Sequence, residues 1–255
     1  MDLKHFILRV KRKLSGIISR DIFSKIYRGN LKGYRFTVIT PYDDYFTTEY
    51  EQDSFSYVIN AIKQKPESVI FDLGANLGYF SLLCASHSAA AKIFAFEPIP
   101  ANMTILCRHL LINNIKNVTP VSLAVSDNLG LVDFSADNQS VSYTYKQSSS
   151  YYGIRHLNIK IGTTSLDALI NQFGFPEPDI IKIDVEGAEY DVLSGAEELI
   201  KKYMPKILLS THEVHLKGVE EKCLLFLDKL NYSCTKFENA ADRMEGLNDF
   251  WCTPK

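Results

Sequence analysis

The chain has 255 residues, 46% of them hydrophobic and 23% charged, which allows one large α/β domain with an attached arm and a full core built without disulfides. No apolar run reaches the roughly 18 residues that a membrane-spanning helix needs, so the composition excludes a transmembrane bundle. The net charge of -2 is unevenly spread: residues 1–35 hold ten Lys or Arg against two Asp, so that arm carries +8 and the remainder -10, a split that points to an anionic partner such as a membrane or a nucleic acid.

In chain order, Leu3, Phe6, Ile7, Val10, Leu14, Ile17 and Ile18 recur at helical spacing with Arg9, Lys11, Arg12 and Lys13 between them. This is a basic amphipathic helix, suited to pack on the domain or to dock on an anionic membrane surface. It lacks the uninterrupted apolar core of a secretory signal. Tyr34 to Ile39 reads as a strand, Thr40 to Asp44 as a turn and Tyr50 to Lys63 as a lead-in helix. From Ser68 the rhythm becomes regular. Val69 to Leu73 is an apolar run of the kind found in a strand buried on both faces; a helix is expected over Asn76 to Ser86, a strand over Lys92 to Glu97, and a helix over Pro100 to Asn113 with Pro just inside its start. Val118 to Val125 and Gly130 to Ser135 follow as strands.

Residues 136–160 break the pattern with a Ser- and Tyr-rich stretch, read as a substrate-facing insertion because long unstructured connections in compact domains are functional or disordered. Thr164 to Phe173 is then a helix, Asp179 to Val185 a strand, Ala188 to Lys202 a helix, Lys206 to Thr211 a strand and Gly218 to Leu230 a helix. Tyr232 to Phe237 and Asp249 to Cys252 close a doubly wound, mostly parallel sheet. The domains expected are thus residues 1–67, an arm with its lead-in helix, and residues 68–255. The five cysteines, Cys84, Cys107, Cys223, Cys234 and Cys252, form no CxxC pair and no Cys/His cluster, which suggests neither zinc nor redox chemistry and suits a reducing cytosol.

In an open α/β sheet, ligands bind beyond the carboxyl ends of the strands, where strand order switches. There the sequence places Asp72, Gly74, Asn76 and Gly78, then Glu97, then Ala124 to Asp127, then Asp184 and Glu186, and finally His212, Glu213 and His215. The glycines allow a sharp turn and close approach of the backbone to a ligand, and free amides at the start of the Asn76 helix would attract an anion. Glu97, about 20 residues on, is placed to accept ribose hydroxyls, as fits either a nicotinamide or S-adenosylmethionine. The turn departs from G-x-G-x-x-G, and Asp72 would repel a pyrophosphate but suit the cationic amino end of S-adenosylmethionine.

The segments FDLGANLGYFSLL, FAFEPIPANMTILCRHLLINN, VSLAVSD, TTSLDALI, IIKIDVEGAEYDVLSGA and ILLSTHEVH together resemble the FkbM family of S-adenosylmethionine-dependent methyltransferases, from about Glu49 to His215. The resemblance implies a class I methyltransferase fold, a seven-stranded sheet with its last strand antiparallel, and O-methylation of hydroxyls on glycan sugars or natural products. By position it implies that Asp72, Gly74, Asn76, Gly78 and Glu97 hold the cofactor, with Ala124 near the adenine.

Methyl transfer to a hydroxyl gains from a base that takes the proton as the oxygen attacks. The candidates are Asp184, Glu186, Glu213 and His215, with His212 and His156 also near the rim or in the insertion; Glu186 and Glu213 could instead be helix or turn caps. No ligand spacing compels a metal, and metal-independent chemistry is expected. The strand end at Asp184 continues Val-Glu-Gly, unlike the loops of amino-methylating nucleic-acid enzymes. The acceptor that the resemblance implies is a sugar hydroxyl, no nucleic acid is expected, and the protein is expected in the cytoplasm with its basic helix at the inner membrane surface. An RNA methyltransferase, drawing on the +8 arm, and a non-catalytic cofactor-binding adaptor are the alternatives.

Overall fold

Strands that are apolar at successive positions need cover on both faces, and in the computed structural model of the protein helices provide it. The structure describes residues 52–136, 157–237 and 246–255, together with Ser24–Ile26 (β1) and Arg35–Thr37 (β2), which pair antiparallel. The basic helix expected over Leu3 to Ile18, the turn at Thr40 to Asp44 and the tyrosine-rich residues 137–156, His156 among them, lie outside the described residues.

The domain begins with helix α1 (Gln52–Gln64), strand β3 (Val69–Leu73), helix α2 (Tyr79–His87), strand β4 (Lys92–Phe96), helix α3 (Pro100–Ile112) and strand β5 (Val118–Val121). After the short strands β6 (Ala124–Val125), β7 (Gly130–Ala136) and β8 (Leu157–Thr164) come α4 (Leu166–Asn171), β9 (Ile180–Ile183), α5 (Glu189–Ser194) and α6 (Glu197–Tyr203). β10 (Lys206–His212), α7 (Val219–Lys229), β11 (Tyr232–Lys236) and β12 (Leu247–Pro254) complete it.

The main sheet has seven strands in the order β11-β12-β10-β9-β3-β4-β5. Strands β3, β4, β5, β9 and β10 run parallel, and β12 inserts antiparallel between β10 and β11. The chain builds outward from β3 to β5 and then returns to the other side of β3 with β9. That reversal opens a crevice above the carboxyl ends of β3 and β9. Alternation along the strands divides the core: Ile70 and Ile93 pack with Phe55, Ile62 and Leu83 on one face, while Phe71, Phe96 and Ile181 pack with Leu169, Leu199 and Leu227 on the other. Each such fully buried side chain contributes about 1.5–3 kcal/mol of transfer free energy.

The structure corrects four expectations. The strand expected over Val118 to Val125 is two strands: β5 ends at Val121, and β6 pairs instead with β8 in a separate three-stranded sheet, β6-β8-β7. Residues 157–160, expected to close the insertion, are part of β8, which pairs antiparallel with β7 from Gly130↔Thr163 to Ala136↔Leu157. The helix expected over Ala188 to Lys202 breaks into α5 and α6 around Gly195, where a Cβ would lie 2.3 Å from the Ser126 carbonyl oxygen. Finally, Cys234 and Cys252 are not isolated thiols: they stand directly opposite each other on β11 and β12 and are joined as a disulfide. No helix among the described residues is long and apolar enough to cross a membrane.

Candidate active site

The crevice above β3 and β9 is a cleft of about 810 Å³, counted out to its mouth. Its floor is the turn after β3. Gly74 has φ +76°, and a Cβ there would fall 1.8 Å from the Asp184 carbonyl oxygen, so only glycine permits the turn and β9 to meet. Asn76 is left-handed at φ 50° and Gly78 at φ 90°, and buried His109 on α3 donates its Nδ1 hydrogen to the Leu77 carbonyl at 2.7 Å, pinning the turn from behind. Helix α2 therefore starts at Tyr79 rather than Asn76. The Asn76 amide, expected to be free for an anion, donates instead to Glu97 Oε2 at 2.8 Å.

Glu97, at the end of β4, is 3% exposed and lines the cleft. Besides Asn76, it accepts from the Ile99 amide at 2.9 Å and from Asn102 Nδ2 at 3.3 Å, both on Oε1. Burial raises its carboxyl to about 7, against the pull of those three donors. A carboxylate has about four acceptor sites, so a position on Oε2 is left for a ligand hydroxyl. Ala124 on β6 lines the same wall, beside Ser126. Gly74 and Asn76 line it as well, whereas Gly78 does not.

Asp72 is placed differently from the sequence expectation. It is the register partner of Lys182 on β9, and alternation turns both side chains toward α2 rather than into the cleft. The carboxylate is fully buried, accepts from Ser81 Oγ at 2.6 Å and lies 3.5 Å from Lys182 Nζ. Burial pushes its carboxyl up, and Lys182 and Ser81 oppose that shift. Asp72 thus holds Lys182, and Lys182 in turn reaches Asp184 Oδ2 at 3.0 Å.

At the other end of the cleft, the chain leaving β9 brings Asp184 and Glu186 to the wall. Glu186 has φ 55°, a left-handed conformation that costs a residue with a Cβ about 1–3 kcal/mol and is typical of functional sites. Beneath these carboxylates lies His212, at the end of β10 and almost completely buried. Its Nδ1 donates to Glu189 Oε1 at 2.7 Å, which turns Nε2 toward Asp184 Oδ1 at 3.5 Å and Glu186 Oε2 at 3.6 Å. Burial alone would lower the imidazole, but the hydrogen bond it donates to Glu189 and the charges of Asp184, Glu186 and Glu189 outweigh burial and raise it to about 9. His212 is therefore an imidazolium at neutral pH. His215 stacks on it with ring centroids 5.8 Å apart and meets Glu186 Oε2 with Nε2 at 2.9 Å. Asp184, Glu186 and His212 each offer a ligand atom within 4.8 Å of the others, a spacing that could hold a divalent ion.

Of the expected catalytic residues, Asp184, Glu186 and His215 are brought together and Glu213 is not. Both Glu213 oxygens are committed to the start of α7, accepting from the Gly218 amide at 2.8 Å and the Glu220 amide at 2.9 Å. It is a helix cap facing away from the cleft. Sequence reasoning missed Glu189 and Lys182. Glu189 also accepts from the amide of Gly187, two residues before it, at 2.9 Å, and a second acid in Glu-Gly-Ala-Glu was the available signal. Lys182 is a buried cation in an otherwise apolar strand, a signal in its own right.

Residues 72–242 match the family described as the methyltransferase FkbM domain. The hexuronic acid methyltransferase AglP of Haloferax volcanii is 28% identical over 202 residues, covering 77% of this chain and 76% of AglP. The 2-O-methyltransferase NoeI of Sinorhizobium fredii is 29% identical over 156 residues, 56% of this chain and 63% of NoeI, so the chain spans just under two thirds of that relative. Among solved structures, precorrin-6y C5,15-methyltransferase of Geobacter metallireducens aligns with a TM-score of 0.50 at 16% identity, covering 86% of this chain and 100% of that one. That likeness is one of fold.

Proposed function

The chain belongs to the FkbM family of S-adenosylmethionine-dependent methyltransferases, and from that premise we propose that it methylates a hydroxyl oxygen of a sugar, in a glycan or a glycosylated natural product. The observation that carries the reading is a single cleft with a buried carboxylate, Glu97, at one end and a pair, Asp184 and Glu186, at the other. One relative, named for hexuronic acid, supports the sugar, and another, named for a 2-O position, supports transfer to an oxygen.

The residues present fit the cofactor. Glu97 keeps acceptor capacity on Oε2 for a ribose hydroxyl; a second hydroxyl would take the site that Asn102 now uses, at 3.3 Å the longest of the three contacts. Gly74 and Asn76 line the floor, where the absent Cβ of Gly74 lets a ligand approach the backbone closely, and Ala124 faces the adenine end. S-adenosylmethionine supplies, when bound, an electrophilic methyl group on a sulfonium. With Asp72 committed to Lys182, the carboxylate at hand for the cofactor's amino group is Asp184. Glu186 takes the proton of the acceptor hydroxyl, and His215, 2.9 Å away, passes it toward solvent. His212, a cation beneath Asp184 and Glu186, offsets the negative charge that the two carboxylates bring to the wall. Positioning of the acceptor oxygen supplies most of the rate.

Metal-independent turnover is part of this reading. Lys182 Nζ lies 3.0 Å from Asp184 Oδ2, where it would repel a divalent ion. Turnover unchanged by chelator supports this, and loss restored by magnesium refutes it. The +8 arm is proposed to contact an anionic membrane surface; liposome binding that survives removal of residues 1–30 would sink that part. The acceptor itself is tested by mass spectrometry of cellular glycans with and without the gene, where the expected difference is one methyl group and identical profiles refute the sugar assignment.

A further inference from the structure

Thr163 lies near the end of β8, paired with Ala124 of β6 on one side and with Gly130 of β7 on the other. It is 1% exposed, and its Oγ1 has no hydrogen-bond partner among the described residues. A buried hydroxyl left unpaired costs about 1–3 kcal/mol, and such groups are rare enough in folded proteins to call for a reason. The reason lies in where it is. Thr163 lines the cleft with Ala124, its partner on β6, and Ser126. Around it the wall is apolar: Leu123, Val125, Val132 and Phe134. A largely apolar wall carrying one unpartnered hydroxyl, while the Ser126 hydroxyl is spent on Asp127, suits a flat heteroaromatic ring whose faces want apolar cover and whose edge wants a hydrogen bond.

We propose that the Thr163 hydroxyl hydrogen-bonds the edge of the cofactor's adenine, so that the three-stranded sheet, and not only the seven-stranded one, reads the cofactor. The inference rests on the assignment of the cleft to S-adenosylmethionine. It gives an account of Thr163 that packing does not: valine has the same shape, buries no unpaired oxygen, and would serve a purely structural role better.

The test compares Thr163→Val and Thr163→Ser with the unaltered protein, by calorimetric binding of S-adenosylhomocysteine and by thermal melting without ligand. Thr163→Val should bind about three- to tenfold more weakly, the worth of one neutral hydrogen bond, while melting at the same or a higher temperature. Thr163→Ser, which keeps the hydroxyl, should hold its affinity within about twofold. Methylthioadenosine, which lacks the amino-acid end, should show the same loss with Thr163→Val. Unchanged affinity in Thr163→Val overturns the inference, as does weaker binding accompanied by a lower melting temperature in both variants, which would mark a structural role. A loss seen with S-adenosylhomocysteine but not with methylthioadenosine overturns the assignment to adenine. Failure of the unaltered protein to bind S-adenosylhomocysteine at all would instead refute the cofactor assignment itself.

Discussion

Cofactor affinity should follow the titration of Glu97. Burial holds this carboxyl at about 7, and three protein donors already occupy it. Only its ionised form can keep those donors and still accept from a ribose hydroxyl. Affinity should therefore be flat above pH 8 and fall about tenfold per unit below 7, so that binding at pH 5 is weaker by about a hundredfold. The assay is isothermal calorimetry with S-adenosylhomocysteine from pH 5 to 8.5. Glu97→Gln should bind weakly throughout and lose the slope, which separates Glu97 from any other titrating group. The same group acts on folding with the opposite sign. Its folded pKa is raised above the unfolded value of 4.5, so the stabilisation it gives is complete below about pH 4.5 and is lost as pH rises through 7. The amount is about 3 kcal/mol. The ligand-free protein should thus lose stability over the range in which it gains affinity. Affinity that stays level from pH 5 to 8, or that keeps its slope in Glu97→Gln, refutes the reasoning.

Glu213→Ala should lower stability by about 1–2 kcal/mol through loss of the α7 cap and leave kcat nearly intact; a collapse of turnover at unchanged melting temperature would return Glu213 to the catalytic set. Glu189→Gln removes the main partner of the His212 imidazolium, so an alkaline limb of activity near pH 9 should move down by more than one unit while cofactor affinity holds; an unmoved pH profile would show that His212 takes no electrostatic part. His212 also contributes stability below about pH 6.5 that is lost as pH rises through 9, which denaturant titrations at pH 7 and 10 can read. Cys234→Ser opens a cross-link spanning 18 residues and should cost about 3 kcal/mol; urea unfolding with the midpoint unchanged would show that the bond closes nothing in solution.

The local rules sufficed where one short segment sets its own structure. The apolar runs at Val69, Lys92 and Ile180 became the parallel strands, and Glu97 was found at the position its spacing from the glycine turn demanded. What escaped depends on partners distant in sequence. Asp72 looks like a cleft residue until Lys182 is known to stand opposite it, and the Cys234–Cys252 bond exists only through the register of β11 with β12. The break at Gly195 was hidden because glycine costs a helix only about 1 kcal/mol, whereas the close approach of Ser126 forbids anything else. Val118 to Val125 carries no glycine to mark where it changes sheets. Glu213 illustrates a real ambiguity: an acid just beyond a strand reads alike whether it faces a ligand or caps the next helix.

The hairpin β7–β8 departs at Ala136 and returns at Leu157, two residues that face each other across the ladder. Whatever lies between them is anchored at adjacent points, and lengthening such a connection costs free energy only as the logarithm of its length. The fold can therefore exchange that segment with little disturbance to the seven-stranded sheet. Yet β8 ends at the wall of the cleft, so each exchange is made on a strand whose far end must stay in place. Ala136 and Leu157 are therefore the natural junctions at which to join chimaeras that exchange residues 137–156.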